Sequence, residues 1–157
     1  VRLHLVTDVV APRYMNRFFE RRTEDVISDW GIDVRLHQWS VETLTEVTGG
    51  CDIAIVPVDL TDPMAVGKPE NRMRVFWRLG LPVVVSASPS NVRAASLAGV
   101  DELLVCSTGE EWDRALESLR THPEDRLRIA RAGQATALTA YSEESLAQRW
   151  DRLFESL

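Results

Sequence analysis

The chain has 157 residues, 45% of them hydrophobic and 27% charged, enough for one core and about one domain. Its net charge of −6 and pI near 5.1 argue against a general nucleic-acid binder, which needs a basic surface. No apolar run is long enough for a transmembrane segment and no signal peptide opens the chain, so the expected location is cytoplasmic.

Arg2 to Thr7 alternates polar and apolar residues and reads as a first strand, with Asp8 at its end. Pro12 opens a polar helix to about Asp29, whose apolar side is Met15, Phe18, Phe19, Val26, Ile27 and Trp30, and Gly31 closes it. Val34 to Gln38 is a second strand. Trp39 and Ser40 form its exit, and Ser40 can cap a short helix that Gly49 and Gly50 break. Cys51 to Val58 is a third strand, the most uniformly apolar, and is expected at the centre of the sheet. After the loop from Asp59 comes Lys68, the only lysine among 18 basic residues. Pro69 suits the first turn of a helix, which contains Asn71 and Arg72. Met73, Val75, Phe76 and Leu79 supply its apolar face, Gly80 ends it, and Leu81 to Val85 is a fourth strand. A polar loop, Ser86 to Ser90, leads to a helix from Asn91 to Ala98, ended by Gly99. Glu102 to Cys106 is a fifth strand. Thr108 and Glu111 match a capping box for a helix to Arg120, Pro123 opens another to about Thr139, and Ser142 caps the last.

Strands alternating with helices predict an α/β fold: a single Rossmann-like domain over residues 1–157, with a doubly wound parallel sheet of five strands in the order 2-1-3-4-5 and helices on both faces. Ligands of such sheets bind beyond the carboxyl ends of the strands. That rule selects the loops after Thr7, Gln38, Val58 and Ser86. The helix N-terminus beside Lys68 opens into the same crevice and suits an anion, most simply a phosphate. Cys51 and Cys106 lie at apolar runs and read as small buried hydrophobes. With three scattered histidines they show no zinc-ligand spacing, and no metal or cofactor is expected. The chain starts at Val1 and runs straight into a strand, as a piece of a longer protein would.

From Cys51 onward the segments resemble, in order, the C-terminal, donor-binding half of a GT-B glycosyltransferase of the group 1, family 4-like kind. CDIAIVP is similar to the family's strand before the donor loop. GKPENR followed by LGLPVVVS looks like its lysine loop, helix and strand. SLAGVDELLV resembles the next helix-strand pair, and EEWDRALESL, HPEDRLRIARAG and YSEESLAQRW look like the closing helices. The resemblance implies a nucleotide-diphosphate sugar as donor substrate. Lys68, with Asn71 and Arg72, would meet its diphosphate, Trp39 and Ser40 would lie near the base, and the loop from Asp59 would lie near the sugar. The family's paired glutamates, placed by counting back from Gly80, fall on Gly67 and Val75, and valine cannot contact a ribose as that glutamate does. The catalytic residues are therefore unassigned. The family's glycine-rich opening and its acceptor-binding N-terminal domain are absent from this sequence. Sugar transfer is expected only when the chain is joined to that domain, or to a protein partner that supplies it.

Two other classes fit parts of the pattern. One is a non-catalytic module that keeps a GT-B-like fold for protein interaction. The other is a receiver-like phosphoacceptor domain, for which Asp8, Asp59 and Ser86 end strands one, three and four; Cys106 and Ser107 stand where a receiver carries a lysine. Arg74 and Arg78 read as a solvated helix face, Trp77 and Trp112 as core or interface, Trp150 as packing across the domain, and His4 and His37 as structural.

Overall fold

The computed structural model describes residues 1–9, 22–100 and 104–156. The chain divides into two compact units, Val1–Gly50 and Cys51–Leu157.

In the first unit, β1 (Arg2–Thr7) and β2 (Asp33–Gln38) pair in parallel with Arg2 opposite Asp33 and Thr7 opposite Gln38. The register places Arg2, His4, Asp33, Arg35 and His37 on one face, and leaves Leu3, Leu5, Val34 and Leu36 for the other. The polar face is knitted together. Arg2 Nε donates to Asp33 at 2.7 Å, and His4 Nδ1 lies 3.0 Å from His37 Nε2. Those imidazole centroids are 5.2 Å apart with the rings nearly parallel, which makes the pair a structural cross-strand contact. Between the strands lie α1 (Thr23–Ile27) and a short 3-10 turn that ends at Gly31. The expected apolar residues Met15, Phe18 and Phe19 lie outside the described residues. After β2, Ser40 accepts from the Thr43 amide at 3.0 Å and starts α2 (Val41–Thr48), as its sequence predicts.

The second unit holds a three-stranded parallel sheet in the order β3-β4-β5. These strands are β3 (Ala54–Val56), β4 (Val83–Ser86) and β5 (Val105–Cys106). The α/β class and the parallel pairing are as expected, but two sheets, of two and three strands, replace the single doubly wound sheet of five. The pairings 2-1, 3-4 and 4-5 form as read. The strand expected at the centre, β3, is an edge strand, and Ile55 is exposed. The central strand is β4, buried along its whole length. An apolar run reports burial and not which neighbours a strand has. Prolines bound the ladder: Pro57 follows β3, and Pro82 precedes β4, where its ring nitrogen cannot donate. The start of the expected fifth strand, 102–103, lies outside the described residues.

The helices of this unit are α3 (Pro63–Val66), α4 (Asn71–Arg78), α5 (Pro89–Ala98), α6 (Gly109–Thr121), α7 (Pro123–Thr139) and α8 (Glu143–Glu155). The capping box forms at α6, where the Thr108 side chain and the Glu111 amide bond at 3.3 Å. Helix α5 begins at Pro89, before the expected Asn91, because Ser88 caps it and Pro89 fits the first turn. Helix α4 begins at Asn71, two positions after Pro69, so Pro69 is part of the approach loop. It ends in a Schellman motif: Leu81 N donates to Phe76 O at 3.1 Å and Gly80 N to Trp77 O at 3.0 Å, with Gly80 at φ 79°.

The buried face of α4 is Met73 and Trp77, one turn apart, with Phe76 partly buried beside them. Val75 and Leu79, expected on that face, are exposed. The core spans β3, β4, β5 and the faces of α4 to α7, and Trp77 is its largest fully buried side chain. Cys106 is buried and Cys51 half-buried, and burial pushes both thiols up from their ordinary pKa. Trp150 does not pack across the domain: it is exposed on α8 and stacks on Phe154 at 6.0 Å. Among the described residues no helix is long and apolar enough to cross a membrane.

Candidate anion-binding site

A cavity of about 280 Å³ opens at the carboxyl ends of β3 and β4. Val56 and Val58 form one wall, Ser88 and Asn91 another, and Lys68, Asn71 and Arg72 a third, with Glu70 beside them. A second hollow, of about 400 Å³, has Lys68, Ser90 and Arg93 on its walls, so Lys68 stands between the two.

Local sequence explains how these residues are held. Asp62 accepts from the Met64 amide at 2.9 Å and starts α3. This single turn runs into Gly67 and delivers Lys68 to the cavity. Helix α4 then begins without a side-chain cap, which leaves its first-turn N–H groups for a ligand. Beneath the loop lies a buried serine network. Ser86 Oγ accepts from Val58 N at 2.8 Å, and Asn91 Nδ2 donates to Ser86 O at 2.9 Å. Ser90 Oγ donates to Lys68 O at 2.7 Å and lies 3.2 Å from Ser88 Oγ. Ser86, Ser88, Ser90 and Asn91 are all buried. The loop read from sequence as polar is therefore an internal scaffold that ties the Val58 and Lys68 loops to one strand end.

Lys68, Asn71 and Arg72 come together in the cavity as the sequence predicts, and all three are exposed. Among the described residues no ion pair engages Lys68 or Arg72. Asp59 is not on the cavity wall. Its Oδ1 accepts from Thr61 N at 2.8 Å and from Thr61 Oγ1 at 2.7 Å, and these bonds hold its carboxyl below the usual range. Trp39 and Ser40 belong to the first unit. Trp39 is exposed, with its amide bonded to Thr7 O at 2.9 Å, and Ser40 is engaged as the α2 cap.

Sequence reasoning selected the loop Ser86 to Ser90 but singled out none of Ser88, Ser90, Asn91 and Arg93. The signal was present in the run SASPSN, where a serine stands before a proline and three residues before an asparagine, the signature of a capped helix start. It also misread Arg74, which is half-buried with its guanidinium 4.3 Å from the Tyr141 ring centroid; Arg78 is exposed as read, and its Nη2 donates to Tyr141 O at 3.2 Å. Their spacing from Tyr141 in sequence hid the contact. Among the described residues no group of His, Cys, Asp and Glu could hold a metal ion. The residues of the receiver-like pattern have other partners: Asp8 Oδ1 accepts from Gln38 at 3.3 Å, Asp59 is held by Thr61, and Ser86 is buried against Val58.

Comparison with protein-family models, with characterised proteins and with solved structures finds no match to this chain.

Proposed function

We propose that this chain is the nucleotide-sugar-binding half of a glycosyltransferase, with the diphosphate of the donor held at Lys68. The observation that carries the reading is the cavity itself. It sits at the carboxyl ends of two parallel strands and gathers Lys68, Arg72 and the uncapped first turn of α4 on one wall. A lysine and an arginine that no ion pair engages among the described residues, in a chain of net charge −6, are suited to an anionic ligand that brings its own negative charge. In a transfer reaction Lys68 would stabilise the charge that develops on the departing diphosphate. The acceptor and the residues that activate it would come from a second domain or a partner chain.

Calorimetric titration with UDP, GDP, ADP, TDP and CMP tests this. One nucleoside diphosphate should bind, and Lys68→Ala should weaken it by about 1–3 kcal/mol, the scale of a lost charge-assisted contact. Binding that survives Lys68→Ala unchanged would place the site elsewhere.

The second reading, a non-catalytic interaction module of the same fold, is favoured by α8. This helix has no buried residue and exposes Leu146, Trp150, Leu153 and Phe154. A chain that binds none of the nucleotides would favour this second reading.

A further inference from the structure

Lys68 stands on a segment with little structure of its own. The α3 turn before it is four residues long, and Pro69 after it has no N–H with which to anchor the chain. Two hydrogen bonds fix its backbone. One is local: Lys68 N donates to Ala65 O at 3.2 Å. The other lies on the far side of the Cα, where the Lys68 carbonyl accepts from Ser90 Oγ at 2.7 Å. That bond ties the loop to the first turn of α5, 22 positions away.

The hydroxyl protons of this network follow from the partners. Ser90 has one hydroxyl hydrogen, and the Lys68 carbonyl, which can only accept, takes it. Ser88 Oγ, 3.2 Å from Ser90 Oγ, is then the donor in that contact. Ser88 Oγ accepts in turn from Asn91 N at 3.4 Å, as the cap of α5. The relay therefore runs one way, from the Asn91 amide through Ser88 and Ser90 to the Lys68 carbonyl. Such chains strengthen each bond in the series. Ser88, Ser90 and Asn91 are all buried, and Asn91 is held again at the end of β4, where its Nδ2 donates to Ser86 O at 2.9 Å. The Lys68 backbone is thus seated on the rigid end of the sheet.

We infer that Ser90 is a positioning residue of the anion site. Its hydroxyl sets where the Lys68 backbone stands, and so where the ammonium meets the ligand at bonding distance. Ser90 itself lines the second hollow and not the cavity that contains Asn71 and Arg72. The inference rests on the anion-binding reading and adds to it a control that α5 exerts through Lys68 alone.

The test uses the full chain and inorganic pyrophosphate as probe. Lys68 is the only lysine, so lysine labelled with carbon-13 at the carbonyl gives a single signal from the protein. The variants are Ser90→Ala, Ser90→Cys, which keeps the volume of the side chain and donates only weakly, Lys68→Ala, and Lys68→Ala with Ser90→Ala. The carbonyl signal, read without ligand, should move upfield in Ser90→Ala and Ser90→Cys as the donor is lost. In calorimetric titration both should bind pyrophosphate about fivefold more weakly, and Ser90→Ala should change the Lys68→Ala protein by less than about twofold. A carbonyl signal that stays in place overturns the contact, whether or not pyrophosphate binds. A signal that moves while affinity is unchanged overturns the positioning role and leaves the anion-binding reading standing. Losses that multiply in the double variant also overturn it, because Ser90 would then act on the whole cavity and not through Lys68. A signal that moves in a protein that binds no pyrophosphate removes the anion-binding reading and the positioning role with it.

Discussion

Gly133→Ala is the sharpest test of how α4 is seated. Gly133 lies in the interior of α7, where alanine would favour the helix by about 1 kcal/mol. The environment opposes that gain. A Cβ at this position would stand 2.4 Å from Trp77 Cδ1, 2.6 Å from Nε1 and 2.7 Å from Cγ. Ordinary contact begins near 3.4 Å, so α7 and the indole must separate by about 1 Å. Trp77 is fully buried and cannot yield by swinging into solvent. Overpacking of this kind costs about 1–3 kcal/mol in a close-packed interior, and both helices must shift to relieve it. The expected result is a net loss of about 1–2 kcal/mol in urea unfolding with the slope unchanged. Trp77→Ala removes all three ring atoms nearest the new methyl, so the double variant should lose less than the sum of the single losses. Gly133→Ala as stable as wild type would mean that Trp77 does not lie against α7, and the seating of α4 described above would be wrong.

Three further outcomes follow from named contacts. Ser90→Ala removes the hydroxyl that holds Lys68 O at 2.7 Å and should cost about 1 kcal/mol by urea unfolding, since a part-buried acceptor loses its donor. Burial and the Glu70 charge raise the Tyr141 phenol above its ordinary 10.0, so its contribution is intact below that pH and is lost as pH rises through the folded value; Tyr141→Phe should flatten the alkaline limb of a melting-temperature profile. The Arg2 hydrogen bond, followed by the Arg2 and Arg35 charges, lowers the Asp33 carboxyl below its ordinary 3.8; the stabilisation is present above that value and fades as pH falls below it. Amide-exchange protection factors in β1 and β2 should therefore fall on acidification, and Asp33→Asn should remove that pH dependence.

What the sequence made legible was whatever is decided within a few residues. Ser40, Thr108 and Ser142 are caps because a side-chain oxygen reaches an amide two or three positions on. Gly80 ends α4 because a Schellman turn needs a positive φ there. The gathering of Lys68, Asn71 and Arg72 at one wall was legible for the same reason, since loop and helix start are contiguous. Partners far apart in sequence were not legible. Tyr141 meets Arg78 across 63 positions, and Gln134 Nε2 reaches Arg78 O across 56. The α4 face was misjudged because Val75 and Leu79 are as apolar as Phe76, and only the position of α7 decides which of them is covered. The five-stranded sheet was misjudged because β3 is equally apolar whether it lies at an edge or a centre.

The cavity also limits what chemistry the proposed function can assign to this chain. Stabilising a leaving diphosphate needs cations in place, and Lys68 and Arg72 stand on the wall with no ion pair among the described residues. Activating an acceptor hydroxyl needs a base that can take a proton. The titratable groups on that wall are Lys68, Glu70 and Arg72. An arginine does not give up its proton. Glu70 is the one carboxylate on that wall among the described residues. The positions where the resembling family carries its glutamates hold Gly67 and an exposed Val75. Under the proposed reading this wall would hold the negative charge of the donor, and the acceptor chemistry would be supplied by another domain.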